Sequence, residues 1–173
     1  MRKLLKNATI AASFLISCQA SEIWVGVGKI GGDPITSTEY AVGYETETKL
    51  RNDWILGMDI SYKYSRIKEE EREIGEDGRE EAVCKRIDEH ALDLEALWGR
   101  ALDHHDKLFL IGGLRVGDAE GTTVYGIGAG VEYQHIFHND FVVSLDFLRH
   151  FMKTDDDIYY QTDTFMVKVG YEF

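Results

Sequence analysis

Apolar and polar side chains alternate along most of the chain after residue 21. Between Trp54 and Tyr64 every second residue is apolar, and most of the residues between them are polar or glycine. The segment that ends at Phe173 repeats this pattern, whereas the three- and four-residue spacing of an amphipathic helix is almost absent. A period of two places the two sets on opposite faces of a β-strand. The sequence therefore predicts an all-β fold.

Eight segments carry this alternation, and turn-like stretches separate them. Each spans about ten residues, the length that a tilted strand needs to cross a bilayer. The first is rich in glycine, and hydrophobicity alone does not distinguish its two faces. The eight segments cover residues 23–30, 39–45, 54–64, 91–98, 108–116, 125–133, 141–148 and 164–173.

The two faces of these strands distinguish a membrane barrel from a soluble barrel or sandwich. In the soluble folds the apolar face fills the core and the polar face meets water. Here single charges stand among glycines on one face, and the other face is broad and rich in aromatic residues. A packed polar lumen and a lipid-facing exterior fit this distribution. We therefore predict an eight-stranded antiparallel up-and-down transmembrane β-barrel.

The aromatic residues fall into two groups when the strands run alternately up and down. All three tryptophans, Trp24, Trp54 and Trp98, then lie near one end, and a set of tyrosines and phenylalanines lies near the other. Aromatic girdles at both interfaces are typical of lipid-embedded barrels, so we assign the three tryptophans as membrane-interface anchors. The predicted connections are residues 30–37, 65–87, 117–123 and 152–159 at the outer end and 47–53, 99–107 and 135–140 at the inner end.

Composition is that of a single ordered domain and excludes two classes of protein. The chain has 173 residues, of which 44% are hydrophobic, and a net charge of −12. Such an acidic chain has no basic patch for a nucleic-acid backbone, so nucleic acid is not an expected partner. After residue 20 the sequence contains no run of about 18 apolar residues, the length that a transmembrane helix requires.

Residues 1–20 have the layout of a secretory signal peptide. Three bases precede an apolar run, and small residues follow up to Ala20. Cleavage after Ala20 gives a mature barrel domain of residues 21–173. In a competing interpretation residues 15–18 form a bacterial lipobox, and Cys18 becomes an acylated N-terminus. In both cases Cys84 is the one thiol left, so no intramolecular disulfide is expected.

The sequence resembles the small eight-stranded outer-membrane barrels of Gram-negative bacteria, the family that includes OmpX, Ail and the OmpA transmembrane domain. The resemblance covers residues 21–173 and rests on the strand count, the girdles and the C-terminal alternation that ends at Tyr171 and Phe173. It implies a location in the bacterial outer membrane, contact with outer-membrane lipids and lipopolysaccharide, and no cofactor. It also implies that Tyr171 and Phe173 belong to the signal read by the barrel-assembly machinery.

The face predicted to line the lumen carries more acids than bases. A buried charge must be paired or neutralised, so we expect Arg115 and Lys168 to be hubs of an internal salt-bridge network. An open pore is not expected, because eight strands enclose only enough space for side chains. The predicted network comprises Arg115, Lys168, Lys63, Asp59, Asp93, Glu95, Glu132 and Asp146.

Residues 65–88 form the most highly charged stretch, with nine acids and six bases. We interpret this stretch as a surface loop that contacts an extracellular ligand, or lipopolysaccharide through bridging divalent cations. The alternative for any single charged residue of this stretch is that it has no ligand and only keeps the loop solvated and outside the membrane. The acidic run 155–157 lacks the spaced oxygen ligands of a calcium loop, so we interpret it as a solvated turn.

An enzymatic function is an alternative to consider, because some outer-membrane barrels of this size modify lipid A. Hydrolysis of that type requires a serine, a histidine and an acid close together. His150 and His90 have no serine at a short spacing, so we predict no enzymatic activity and no catalytic residue. His104 and His105 stand in a predicted inner turn, where metal binding is the alternative to an ordinary polar turn; we assign no metal site.

The function predicted from the sequence is a structural or surface-interaction role, similar to that of an adhesin, in the outer membrane. A lipid A-modifying enzyme is the first alternative. A soluble, lipocalin-like binding protein of the periplasm is the second.

Overall fold

The computed structural model describes residues 20–32, 35–74 and 80–173, with the side chains of all of these except 35–36 and 67–86. Eight strands and one short 3-10 turn, Arg51–Asp53, make up most of this part of the chain. The strands are β1 (Ala20–Gly32), β2 (Ile35–Lys49), β3 (Trp54–Ile74), β4 (Glu80–Ala101), β5 (Asp106–Ala119), β6 (Thr122–Ile136), β7 (Phe141–Thr154) and β8 (Tyr159–Glu172).

The eight strands close into an antiparallel up-and-down barrel. Each strand pairs with the next along the chain, and β1 pairs with β8 to complete the ring. Two further backbone hydrogen bonds join Ser21 and Phe173 at this seam. Closure gives each strand a partner on both sides, so backbone groups inside a bilayer are satisfied without water. The predicted fold class is confirmed.

Side chains alternate between outside and inside along the strands, in the predicted sense. In β3, Ile60 and Tyr62 are exposed on the outside, whereas Asp59, Ser61 and Lys63 are buried inside. All eight strands contribute exposed apolar side chains to a band around the barrel. A soluble monomer does not expose apolar surface on this scale. The exterior is therefore apolar and the lumen polar, which is the polarity of a transmembrane barrel.

Connections at both ends are shorter than the sequence indicated. We call the end that carries the β3–β4 connection the outer end, and the opposite end the inner end. The β5–β6 turn, predicted over residues 117–123, consists of Glu120 and Gly121, both at positive φ as in a two-residue hairpin turn. The inner connections span residues 50–53, 102–105 and 137–140.

The largest departure from the sequence prediction lies at residues 65–87, which were expected to form a loop. β3 continues to Ile74 and β4 begins at Glu80, and the two strands remain paired over this stretch. Hydrophobic alternation marks a strand only where its two faces meet different surroundings, which here are the lipid and the polar lumen. Backbone pairing satisfies the main-chain groups whatever the side chains are, so a charged segment outside the bilayer can continue a hairpin.

The predicted signal peptide lies, apart from its last residue, outside the described residues. Ala20 is the first residue of β1 and pairs with Glu47 of β2. No helix in the described part of the chain is long and apolar enough to cross a membrane.

Candidate functional site

The lumen of the barrel is densely charged. It holds ten buried carboxylates and four buried bases, and each base contacts at least two carboxylates. The bases divide the lumen into an outer, a middle and an inner group. Two clusters of apolar side chains are also buried: Ile55, Leu97, Phe109, Ile111 and Leu148 form one, and Trp24, Ala41 and Met166 form the other.

The outer group surrounds Arg115 of β5 and Lys63 of β3. Arg115 donates two hydrogen bonds to Asp93, at 2.8 and 2.9 Å, and its second terminal nitrogen lies 3.1 Å from Glu39. The ammonium of Lys63 lies 2.8 Å from Asp93 and 3.4 Å from Glu95. The bidentate pair fixes Asp93 in one orientation, because two parallel hydrogen bonds define both position and direction.

The middle group surrounds Lys168 of β8. Its ammonium lies 2.8 Å from Asp146 and 3.2 Å from Glu132. It also lies 4.5 Å from the centre of a Trp24 ring, in a cation–π arrangement. The indole Nε1 of Trp24 donates a 2.6 Å hydrogen bond to Asp59. All eight charged residues of the predicted network therefore line the lumen, seven of them in ion pairs and Asp59 in a hydrogen bond.

The inner group contains residues that the sequence interpretation did not identify. Lys107 lies 2.6 Å from Glu47 and 2.9 Å from Glu172, and Gln134 donates a 3.1 Å hydrogen bond to Glu22. The sequence predicts an inner turn at Lys107, whereas the structure places this residue in β5, on the luminal face opposite the outward Leu108 and Leu110. Glu22 was missed because the faces of β1 were not distinguished.

The assignment of Trp24 as a membrane-interface anchor is wrong. Its side chain is 1% exposed and lies inside the barrel, because Ile23 and Val25 take the outward positions of β1. Trp54 and Trp98 do lie on the outside near the inner end, and their rings stack with centroids 5.0 Å apart. Because β1 is rich in glycine, its two faces are hard to tell apart from hydrophobicity. The outward face is nevertheless marked by the alternating Ile23, Val25 and Val27.

Carboxylates outnumber bases in the lumen, and some of their oxygens have no hydrogen-bond partner in the described structure, among them one each of Glu45 and Glu132. Such groups require protonation or buried water. Asp93, Glu95 and His150 each place a ligand atom within 4.8 Å of the other two, a spacing that could hold a metal ion. Lys63 and Arg115 already supply the positive charge there.

At the outer end, the wall of the barrel continues into the β3–β4 hairpin. Arg66 and Tyr64 each donate a 2.9 Å hydrogen bond to Asp88. These hydrogen bonds stabilise the carboxylate and hold the pKa of Asp88 below its usual value. On the exterior below them, the Tyr62 hydroxyl lies 2.5 Å from Nδ1 of His90. The base of the hairpin is therefore a small polar network rather than a loose loop.

The two histidines considered for catalysis are placed differently. His150 is buried in the lumen, with Nε2 3.9 Å from Asp93. His90 points outward and contacts Tyr62. A lipid A ester in the outer leaflet is outside the barrel wall, so His150 cannot reach it.

Solved structures match the fold of this chain, whereas no family model and no curated protein matches its sequence. Neisserial surface protein A is 10% identical with a TM-score of 0.57, over 89% of this chain and 96% of that chain. Ail, the attachment invasion locus protein of Yersinia pestis, is 18% identical with a TM-score of 0.51, over 89% and 97%. A major outer membrane protein from Thermus thermophilus is 13% identical with a TM-score of 0.54, over 89% and 99%.

The chain has the fold of a small outer-membrane β-barrel. Its apolar band and its polar lumen are those of a protein that spans the bacterial outer membrane with eight strands. Because outer-membrane barrels carry their longer connections outside the cell, we expect the inner end to face the periplasm and the β3–β4 hairpin to face the exterior.

Proposed function

We propose that this outer-membrane barrel is a closed scaffold that presents an acidic hairpin to partners at the cell surface. The observation that carries the proposal is the unequal length of the strands. β3 has 21 residues and β4 has 22, whereas the other six have 13 to 15. A structural role alone requires only strands long enough to cross the bilayer.

The hairpin extends well beyond the strands that flank it. β2 pairs with β3 as far as Lys68, and β5 pairs with β4 as far as Glu89. Beyond Lys68, six further pairs join β3 and β4, from Glu69↔Lys85 to Ile74↔Glu80. Six residues at about 3.3 Å each give a two-stranded ribbon about 20 Å long. We refer to residues 69–85 as the ribbon.

The charge of the outer end favours a basic partner or one bridged by divalent cations. Residues 65–88 contain nine acids and six bases, and the outer end of β5 and the neighbouring outer turns add Asp118, Glu120 and the run 155–157. An acidic surface repels polyanions and attracts cationic surfaces. Lipopolysaccharide is anionic, so we propose that contact with it requires divalent cations.

We propose further that the barrel neither conducts ions nor catalyses a reaction. The three ion-pair groups and two apolar clusters occupy the lumen, and eight strands leave no space for an aqueous channel beside them. A hydrolytic site facing lipid A would need a base beside a serine on the outside; His150 is inside, and His90, which is outside, contacts Tyr62 and Tyr64. Planar bilayers that contain the purified barrel should show no conductance steps, and lipid A from expressing cells should be unmodified in mass.

The scaffold proposal is tested by removing the ribbon. Lys68 and Arg86 face each other across the hairpin, so an Asn-Gly turn can replace residues 69–85. Cells that display the shortened barrel should adhere less to polylysine-coated surfaces than cells with the full chain, and neither should adhere to polyglutamate. Heat-modifiable gel migration verifies that both barrels fold. Equal adhesion to polylysine would contradict the proposal.

A further inference from the structure

Five acids stand side by side on the luminal wall of the barrel. In the register of the sheet, Glu22 of β1 lies directly opposite Glu172 of β8 on one side and Glu45 of β2 on the other. Glu45 in turn lies opposite Asp59 of β3, and Asp59 lies opposite Glu95 of β4. Like charges in directly opposite positions destabilise a sheet. We call these five residues the acid row.

Ion pairs reach the two ends of the acid row but not its middle. Glu172 pairs with Lys107 at the inner end. Glu95 pairs with Lys63 of the outer group. Within the described part of the chain, no ion pair includes the three acids between these ends, which are Glu22, Glu45 and Asp59. Each of the three is at least 96% buried, so solvent does not compensate its charge either.

A second pair of acids faces the middle of the row from the other side of the lumen. Glu132 of β6 and Asp146 of β7 lie directly opposite each other, and Glu45 faces Glu132 across the lumen. Lys168 is the base at this level, and its ammonium already contacts Glu132 and Asp146. The five carboxylates at this level therefore share one base: Glu22, Glu45, Asp59, Glu132 and Asp146.

The middle of the lumen also lacks hydrogen-bond donors. Glu22 accepts a hydrogen bond from the amide of Gln134, and Asp59 accepts one from the indole of Trp24; both donors are neutral. Several buried oxygens of the described residues have no partner, and as carboxylate or amide oxygens they only accept: Glu45 Oε1, Asp59 Oδ1, Glu132 Oε1, Gln134 Oε1 and Asp146 Oδ1. A protonated carboxyl group donates an O–H, so a proton removes a charge and supplies a donor together.

Protons fit this part of the lumen better than water or a metal ion does. Water satisfies the hydrogen bonds of a buried carboxylate but leaves its charge, and an unpaired charge inside the barrel is costly. A metal ion requires converging ligand atoms. Of the described residues, one group brings three such atoms within 4.8 Å of one another, namely Asp93, Glu95 and His150. Lys63 and Arg115 contact Asp93, and their positive charges repel a further cation.

The acid row also connects the buried acids with the water at the inner end. The side chain of Glu172 is 27% exposed there, whereas Glu22 and Glu45 are buried. Residues that are directly opposite in an antiparallel pair have Cβ atoms about 5 Å apart. Neighbouring carboxyl groups at this spacing, with single waters between them, give protons a route from the inner end to the middle of the lumen.

We propose that the middle of the acid row and the facing pair hold protons in the folded barrel, so that the barrel takes up protons on folding and gains stability as the pH falls. In the unfolded chain the same acids are exposed, with a usual pKa of about 4, and are ionised at neutral pH. The folded state then binds more protons than the unfolded state. The equilibrium constant for unfolding therefore rises about tenfold per pH unit for each extra proton.

The test counts the protons that the full barrel takes up when it folds from urea into detergent micelles at pH 7.5. Calorimetry in buffers of different ionisation enthalpy gives this number. At least about two protons are expected, because five carboxylates share one base. In urea titrations between pH 7.5 and 8.5, where histidines are mostly neutral, the equilibrium constant for unfolding should rise at least about a hundredfold.

Glu45→Gln and Glu132→Gln replace a protonated acid with a neutral side chain of the same shape. Each variant should take up about one proton fewer, and its pH dependence should be about tenfold weaker per pH unit. Each should also be more stable than the unaltered chain at pH 8.5. Asp93→Asn is the matched control, since Arg115 and Lys63 hold that luminal acid in its ionised form. It should be less stable, with a pH dependence as steep as that of the unaltered chain.

Three outcomes overturn the proposal. A smaller uptake by the unaltered chain means that the acids are ionised in the folded barrel, and this count needs no variant. Loss of stability in both glutamine variants, as in Asp93→Asn, means the same. Stability that depends on sodium or calcium at fixed pH, without proton uptake, means that a metal cation compensates the row. Heat-modifiable migration shows that each variant is folded. Loss of the ribbon should leave proton uptake unchanged, so failure of this proposal and failure of the surface role are distinguishable.

Discussion

Trp24 and Asp59 are joined by a 2.6 Å hydrogen bond across the lumen, although their strands are not neighbours. β2 lies between β1 and β3, and the indole passes over Gly43 of β2 to reach the carboxylate. This hydrogen bond therefore links β1 to β3 directly, across the strand between them. The contact depends on glycine at position 43, because a side chain there would occupy the space of the indole.

Gly43→Ala should destabilise the barrel. A Cβ at position 43 would collide with the indole of Trp24, and overpacking of this kind costs about 1–3 kcal/mol. Gly112→Ala is the matched control, since nothing lies within 4 Å of its Cβ position; its effect should stay within about 0.5 kcal/mol. Urea unfolding in micelles measures both. Equal stability of the two variants would show that the indole does not occupy the space over Gly43.

The tryptophans should respond differently to quenchers in the membrane. Trp54 and Trp98 are 39% and 53% exposed on the exterior, whereas Trp24 is 1% exposed. In vesicles of brominated lipids, a variant that retains only Trp98 should therefore lose most of its fluorescence. A variant that retains only Trp24 should keep most of its fluorescence, because the barrel wall separates the indole from the acyl chains. Strong quenching of Trp24 would place it outside the barrel.

Arg115→Met should destabilise the barrel by about 3–5 kcal/mol. The substitution leaves Asp93 and Glu39 facing each other in the lumen with one base fewer, and an unpaired buried charge is costly. Arg115→Lys should recover part of the loss, because it restores the charge without the bidentate geometry.

Arg149 provides the control for this prediction. It makes the same type of bidentate pair with Asp163, at 2.7 and 2.8 Å, but on the exterior, where the two side chains are 52% and 41% exposed. Arg149→Met should therefore have a much smaller effect than Arg115→Met in the same urea titration. Similar losses for the two variants would mean that the lumen is hydrated well enough to screen Arg115.

Removal of Phe173 should reduce the amount of barrel assembled in cells more than it reduces refolding in micelles. The backbone of Phe173 bonds to Ser21 at the seam, whereas its side chain is 66% exposed and makes little packing contact. Phe173→Ala keeps the backbone bonds and removes the exposed ring, which tests the predicted assembly signal. Phe141→Ala, an exposed aromatic at the same end, is the comparison. Equal yields for the two variants in cells would count against a special role for Phe173.

The strand pattern was predictable where lipid imposes it. Ile60 and Tyr62 point outward and Asp59 points inward. The apolar face of the strand must meet the bilayer, so the order of apolar and polar residues is enough to predict which side chains point outward. Trp24 shows the limit of residue type as a guide, since tryptophan suits both an interface and a packed lumen. The outward Ile23 and Val25 carried the correct signal for it.

Other features depend on relationships between strands and were not readable from one strand. The pairing of Lys107 with Glu47 and Glu172 joins β5 to β2 and β8 across the lumen. The proximity of His105 and His138 comes from two turns separated by the whole of β5 and β6. The ribbon lies outside the bilayer, where no solvent boundary imposes alternation on its side chains.

Because side chains alternate between lumen and lipid in β6 and β7, the bilayer also selects the register in which these strands pair. Glu132 and Asp146 are paired in register, as are Tyr133 and Leu145. If one strand slipped by one residue, its luminal carboxylate would enter hydrocarbon and its outward neighbour would enter the lumen. Every strand that crosses the membrane carries this penalty, so the bilayer favours the native register of the whole barrel over registers shifted by one residue.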